Sequence, residues 1–415
     1  MQGQSSKQQL KCRICLSEKL LLYLDFGLTP LANSYVRKED LSSEEFKEEL
    51  ALQVCEDCGL SQLTRVVNPD LMFRHYLYVS STTETFRAHC AGLAKTATAI
   101  AGCQAGDLIL DIASNDGCLL LKFRDIGMRV VGVDPAKNLA EEANKGGIPT
   151  VCAYWSFEAA QAVLRQFGSP KVITATNVIA HVDNIHEFVK AVNHCLALTG
   201  IFIIECPYVI DFIENNEFDT VYHEHLSYLG IHPLSVLMAN HGFQVVDVQY
   251  FENIHGGTIR VFIGRENTYP QSPNVQAFLK KEEEFGIKDR TCYKDFGRRV
   301  VANKQKLVGL TGQIHAEGKV MWAYGASAKG NTLMNYLGIS SDTVPVVVDD
   351  NPKKWGLFTP GAHMRITGIE ELGRSKVDYL LLLAWNFEEE IVRRCRAVGY
   401  KGAFIRPVPE ARLLS

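Results

Sequence analysis

The stretch Asp107–Gly117, DLILDIASNDG, decides the fold. Leu108, Ile109 and Leu110 run into Asp111, and the chain then turns through Ala113, Ser114, Asn115, Asp116 and Gly117 into the apolar opening of a helix, Cys118-Leu-Leu-Leu. A short apolar run closed by a turn is the pattern of a strand buried on both faces. A small-residue turn leading straight into a helix lets a ligand approach the backbone at the strand's carboxyl end. Outward from here, 129–134 predicts a second strand ending in an acid, 171–177 a third and 200–205 a fourth, with helical stretches such as 185–198 between them. Strands alternating with helices predict an α/β fold with a doubly wound, Rossmann-like parallel sheet. A helix over 233–243 and two strands at 244–250 and 258–264, read as an antiparallel pair at the sheet edge, close this unit near residue 265.

Upstream, residues 68–102 carry a helical pattern. Downstream, 268–312 is charged and helical, and the run Lys280–Glu284 reads as a solvated helix face. The strand-turn-helix plan then recurs: 319–324, the turn Gly325–Gly330, a helix over 331–337, and further strands at 344–348 and 379–384. These predict a second, smaller Rossmann-like unit. The expected division is 1–68, 69–265 and 266–415, in keeping with a length of 415 residues.

The first of these units is marked by Cys12-Arg-Ile-Cys15 and Cys55-Glu-Asp-Cys58. Each CxxC turn aims two thiolates at one point, and two such turns complete a tetrahedral sulfur shell for zinc. Four protein ligands leave no open position, so the expected zinc is structural. The gap between the pairs exceeds that of a usual zinc ribbon, and 29–49 is expected to loop out. The other eight cysteines, scattered through apolar or helical stretches, read as small buried hydrophobes.

Composition narrows the function. The chain is 47% hydrophobic and 22% charged with a formal net charge of -4, which supplies no basic field for nucleic acid. The N-terminal MQGQSSKQQLKCRIC has no apolar core with a cleavage site, and no segment reaches the roughly 18 apolar residues of a membrane span. The expectation is a cytoplasmic protein without a membrane or nucleic-acid partner, compatible with a monomer.

Four motifs carry chemistry. The turn after Asp111 suits a nucleotide-like cofactor, with Asp134 placed to accept the ribose hydroxyls. Because the turn is not GxGxxG, and because Asn115 and Asp116 are polar, it fits the amino-acid tail of S-adenosylmethionine better than a pyrophosphate, which prefers bare backbone amides. Candidate cofactor residues are Asp111, Ala113, Asn115, Asp116, Gly117, Asp134 and Asn177. Second, Asp219–Tyr228 follows the fourth strand and so lies over the same edge. In extended form it would put Tyr222 and Glu224 on one face and His225 on the other, and only a bend brings all three together. His223-Glu-His225 lacks the spacing of a catalytic zinc motif. Third, Asn177–His181 ends the third strand, making His181 either a substrate contact or a helix-start histidine; Tyr76 reads as an aromatic lid or as packing. Fourth, Gly325–Gly330 with Asn331 offers amides, a hydroxyl and a lysine to an anion.

Taken together, the CxxC pairs, DIASNDG, NVIAHV (177–182), YHEHLSYL (222–229), YGASAKGN (324–331) and DDNPKKWG (349–356) resemble the bacterial sugar C-methyltransferase family, over about 12–407. The resemblance implies a class I S-adenosylmethionine methyltransferase that alkylates a carbon of a nucleotide-linked 4-keto-deoxysugar, commonly C-3 of a dTDP-sugar. It implies His225 as the base with Tyr222 and Glu224 as partners, and His181 at the keto oxygen or sugar. Tyr76 would sit near the substrate, and Ser327, Lys329 and Asn331 near the diphosphate or base of the nucleotide. Methylation of an oxygen or nitrogen, or NAD-dependent redox or epimerase chemistry on the second Rossmann-like unit, are the alternatives.

Overall fold

The structure, a computed structural model, describes residues 6–73, 84–252, 254 and 256–414. Its centre is a seven-stranded sheet in the order Phe243–Phe251, Thr258–Arg265, Ile201–Pro207, Val172–Thr176, Leu108–Ile112, Arg129–Asp134, Thr150–Cys152. Six strands run parallel, and Thr258–Arg265 is antiparallel to both its neighbours. The antiparallel pair expected at the edge therefore forms, but its second strand inserts inward, beside Ile201–Pro207, so the sheet is mixed. The central strands read as unbroken apolar runs because both faces are covered: all of Leu108–Ile112 is buried, between Glu84–Ala101 and Cys118–Asp125 on one side and Phe157–Phe167 and Ile185–Cys195 on the other.

The second sheet has the order Arg365–Thr367, Val346–Val348, Met321–Tyr324, Tyr379–Leu382, Ala403–Arg406, Arg412–Leu414, with the last strand antiparallel. In both sheets chain order reverses direction beside the first strand, and loops at such a switch point splay apart to leave a crevice at the carboxyl ends. The two crevices, one beside Leu108–Ile112 and one beside Met321–Tyr324, decide where the site lies.

The N-terminal unit departs from expectation. The chain between the CxxC pairs does not simply loop out: Leu20–Pro30 and Lys47–Cys55 form a long antiparallel ladder, continued by Ser61–Leu63 and then by Ser227–Tyr228 from the middle of the chain. Only 31–46 connects the ladder, and it packs against the C-terminal sheet, with Val36 bridging Phe358 and Ala32 accepting from Asn331 Nδ2. Within 68–102 the described residues form two helices, Asp70–Phe73 and Glu84–Ala101. The run Lys280–Glu284 is not wholly solvated. Glu282 is fully buried, and its carboxylate accepts from the N–H groups of Ile231 and His232, capping helix Ile231–Ala239. Of the eight scattered cysteines, Cys152 is exposed and Cys103 and Cys292 are half-buried. No helix among the described residues is long and apolar enough to cross a membrane.

Candidate active site

A cavity of about 1260 Å³ opens between the carboxyl ends of the two large sheets. At one end lies the turn after Leu108–Ile112. Ala113, Asn115 and Gly117 all take positive φ (53°, 52° and 79°), and Asn177 across the switch point does the same at 55°. Non-glycine residues rarely hold this conformation, and they do so chiefly where a site requires the backbone shape. The Asp134 carboxylate accepts from Asn115 N–H and Ala136 N–H, both at 2.8 Å, which ties the turn to the second strand. Gly132 lets the turn sit close, since a Cβ there would lie 2.3 Å from Ser114 Oγ. Asp111 accepts from Thr174 Oγ1 at 2.6 Å, and burial pushes its carboxyl up to about 7. Asp111, Ala113, Asn115, Asp134 and Asn177 line the cavity. Asp116 and Gly117 stand behind it, Asp116 accepting from Cys118 N–H at the start of the helix.

The middle of the cavity is walled by His181, Tyr222 and His225. Residues 221–226 are not extended. They bend, with His225 N–H donating to the Tyr222 carbonyl, and this brings Tyr222 and His225 together. His225 Nδ1 faces the Thr220 carbonyl at 2.9 Å and so carries the proton; in the neutral ring Nε2 is then the acceptor, 2.8 Å from the Tyr222 hydroxyl, which donates to it. The His181 and His225 rings stand edge to face, 4.9 Å apart. His181 Nδ1 donates to the Glu224 carbonyl at 2.8 Å, and burial lowers its pKa to about 4, keeping the ring neutral at physiological pH. The Glu224 carboxyl does not line the cavity: it is buried and accepts from Asn33 Nδ2 at 2.6 Å. His223 turns the other way, to the Glu48 carbonyl.

The far end belongs to the second sheet. Ser327 caps helix Ala328–Leu337, its Oγ accepting from Gly330 N–H, and Lys329 reaches to 4.0 Å from Glu217 and 5.2 Å from the Trp385 ring. Lys353, Lys354 and Arg394 join them on the wall. Asn331 does not: it is buried, with its amide spent on Ala32. Tyr76 lies outside the described residues.

Away from the cavity, the Sγ atoms of Cys12, Cys15, Cys55 and Cys58 all fall within 4.8 Å of one another, with Cys12–Cys58 at 3.5 Å and Cys15–Cys55 at 3.4 Å. Four thiols converging on one point fit tetrahedral zinc with every position filled by protein, and the knuckle is a structural zinc site.

Three family models match along the chain. A model described as a zinc binding domain matches residues 12–73, a methyltransferase domain model 83–248, and a C-methyltransferase C-terminal domain model 253–409. C-methyltransferase NovU of Streptomyces niveus is 35% identical over 407 residues, covering 98% of this chain and 97% of that protein. The chain belongs to the C-methyltransferase family. It is an S-adenosylmethionine-dependent enzyme, and the heteroatom and NAD alternatives give way to transfer to carbon. Solved structures are similar more distantly: a S-adenosylmethionine-dependent methyltransferase from Clostridium acetobutylicum (14% identity, 43% of this chain and 92% of that one, TM-score 0.35) and the PH0226 protein of Pyrococcus horikoshii (14%, 48% and 97%, TM-score 0.36). Likenesses this weak add nothing to the description of the site.

Sequence motifs do not reveal several residues that this C-methyltransferase places on or behind the cavity wall. Asn33 and Tyr35 arrive from the segment between the CxxC pairs, Tyr35 donating to the Ala326 carbonyl at 2.6 Å. Asp211 and Glu217 supply buried carboxyls that burial raises to about 6 and about 7. The spacing of none of these signals a site. The positive φ at Asn216, beside Glu217, marks the place only once the backbone is known.

Proposed function

We propose that this C-methyltransferase alkylates the carbon alpha to the ketone of a nucleotide-linked 4-keto-deoxysugar, C-3 of a dTDP-sugar being the common form that the family resemblance implies. The supporting observation is that both switch-point crevices open on one cavity, with the Tyr222–His225 pair between them. One crevice suits the cofactor and the other a nucleotide, so the sugar between them would lie against the pair. We divide the chain accordingly into a zinc unit (1–68), a cofactor unit (69–265) and a nucleotide unit (266–415), and place the reaction in the cytoplasm.

Bound S-adenosylmethionine supplies an electrophilic methyl group. Asp134 holds its ribose, while Asp111, Ala113, Asn115 and Asn177 shape the pocket and Asp116 and Gly117 fix the turn behind it. A carbon next to a ketone becomes nucleophilic only after it loses a proton. That proton passes to the Tyr222 oxygen as the Tyr222 hydroxyl proton moves to His225 Nε2, an acceptor by virtue of the Thr220 contact, so His225 is the base and Tyr222 the group through which it acts. His181 contacts the keto oxygen or sugar, and Glu224 acts through the carbonyl that orients His181. Ser327 and Lys329, with the charges of Lys353, Lys354 and Arg394, face the diphosphate, while Asn331 serves by holding 31–46 in place.

The test is His225→Asn, assayed for turnover with S-adenosylmethionine and a dTDP-4-keto-6-deoxysugar, and for proton exchange in D2O with the same sugar and S-adenosylhomocysteine. Cofactor affinity is expected to stay within about twofold while turnover and exchange of the C-3 proton fall by on the order of a hundredfold or more. Wild-type exchange in the variant would remove His225 as the base. A methylated product without a new carbon-bound methyl signal by NMR would overturn the proposed substrate.

A further inference from the structure

Arg13 sits between the zinc ligands Cys12 and Cys15, but its side chain, 2% exposed, leaves the knuckle. One terminal nitrogen donates to the Asp183 carbonyl at 2.9 Å and approaches the Asp183 carboxylate at 3.4 Å. Asp183 is on the cavity wall, two residues beyond His181. The next knuckle residue makes a parallel contact, the Ile14 carbonyl accepting from His186 Nε2 at 3.0 Å. The knuckle thus grips both ends of the turn that leads from His181 into helix Ile185–Cys195.

That grip closes a ring. Arg13 N–H donates to Gln62 Oε1 at 2.9 Å, and Gln62 belongs to strand Ser61–Leu63, which pairs with Ser227–Tyr228, starting two residues after His225. Leu63 N–H donates to the Leu226 carbonyl, and Leu226 N–H donates to the Ala180 carbonyl next to His181. The knuckle is therefore bonded directly to the His181 turn and, by way of strand Ser61–Leu63, to the residue that follows the Tyr222–His225 bend, which is itself bonded to the His181 turn. Arg13 holds its place at a cost: its Nε and second terminal nitrogen are buried without a partner. Burying a cation with unmet donors is unfavourable, and such groups persist where the contact they do make has a use.

We propose that Arg13 is a positioning residue for methyl transfer, coupling the zinc knuckle to the placement of His181, and through the ring to the Tyr222–His225 pair, by way of Asp183. This rests on the proposed roles of those three side chains. The consequence is that the knuckle sets catalytic geometry as well as stability, since misplacing a reacting group by about 1 Å costs on the order of a hundredfold in rate.

The experiment uses the full-length, zinc-loaded enzyme. In Arg13→Gln, zinc content by metal analysis and S-adenosylmethionine affinity by calorimetry are expected to stay within about twofold, while kcat falls roughly tenfold or more with a smaller change in KM. The imidazole NMR signals of His181 and His225 should shift. Arg13→Lys recovers part of the loss, because an ammonium can meet Asp183 but not with a planar fork. Asp183→Ala keeps the carbonyl contact and loses less than Arg13→Gln, and the double variant is no worse than Arg13→Gln alone. Unchanged kcat with unshifted histidine signals overturns the proposal, as does a loss fully explained by missing zinc. If the signals shift with zinc retained but Tyr222→Phe and His225→Asn turn over normally, Arg13 still positions the turn and it is the catalytic roles of the pair that fail.

Discussion

Glu224 is a carboxyl in a place that disfavours its charge. Burial raises it to about 7, opposed by the hydrogen bond from Asn33. A folded-state pKa above the unfolded one means that the neutral form is the one the fold favours. Its contribution to stability is full below the ordinary glutamate value of 4.5 and is lost as pH rises through about 7. Glu224→Gln cannot ionise, so its stability relative to wild type should climb between pH 5 and pH 8, toward a gain on the order of 3 kcal/mol. Urea denaturation at the two pH values checks this; equal differences at both would mean the carboxyl is not held neutral. His181 carries the opposite sign. Its depressed pKa of about 4 makes the neutral ring the favoured form, and stability is lost as pH falls from the ordinary histidine range through that value. At this scale the site was partly legible. His181, Tyr222 and His225 lie in compact motifs at strand ends, whereas Asn33 and Arg13 reach the site through tertiary packing that leaves no local trace.

Among the elements, the cofactor turn depends on a residue in the neighbouring strand. Gly132 takes an ordinary strand conformation, and what it supplies is the absence of a Cβ against Ser114 Oγ and Cβ and Thr150 Oγ1. Gly132→Ala should push the turn outward, costing about 1–3 kcal/mol of stability and on the order of tenfold or more in S-adenosylmethionine affinity. Calorimetry reads both quantities, and wild-type affinity would show that the turn yields without consequence. The central strands were legible because burial on both faces writes them as continuous apolar runs. Lys47–Cys55 was not, since Lys47, Glu48 and Glu49 open it and mask the buried half. Thr150–Cys152, Arg365–Thr367 and Arg412–Leu414, of three residues each and interrupted by polar side chains, carry no apolar run of the kind that marks Val346–Val348. Glu282 was misassigned because a charge run looks solvated until a helix end needs capping.

For the molecule as a whole, the units are interleaved more deeply than the three-part sequence pattern suggests. Ser227–Tyr228 completes the sheet of the zinc unit, and 31–46 packs on the C-terminal sheet, where Gly361 N–H and His363 Nε2 donate to Glu45. Removing zinc with a chelator should accordingly lower the unfolding temperature of the chain as one shifted transition, because zinc binding is part of the folding free energy. Calorimetry before and after chelation measures this. Two transitions, the upper one unmoved, would show that the large sheets ignore the knuckle.

Those same long-range contacts put the molecule on a schedule. Asn33 waits for Glu224, Tyr35 for Ala326, Ala32 for Asn331 and Glu45 for Gly361. A ribosome adding about 5–20 residues per second needs on the order of tens of seconds to deliver those partners. Throughout that time the first-made part of the chain holds an unfinished ladder whose edge is covered only later by Ser227–Tyr228. Early zinc capture would pin the Leu20–Cys55 end of this ladder during synthesis, before there is any active site to build.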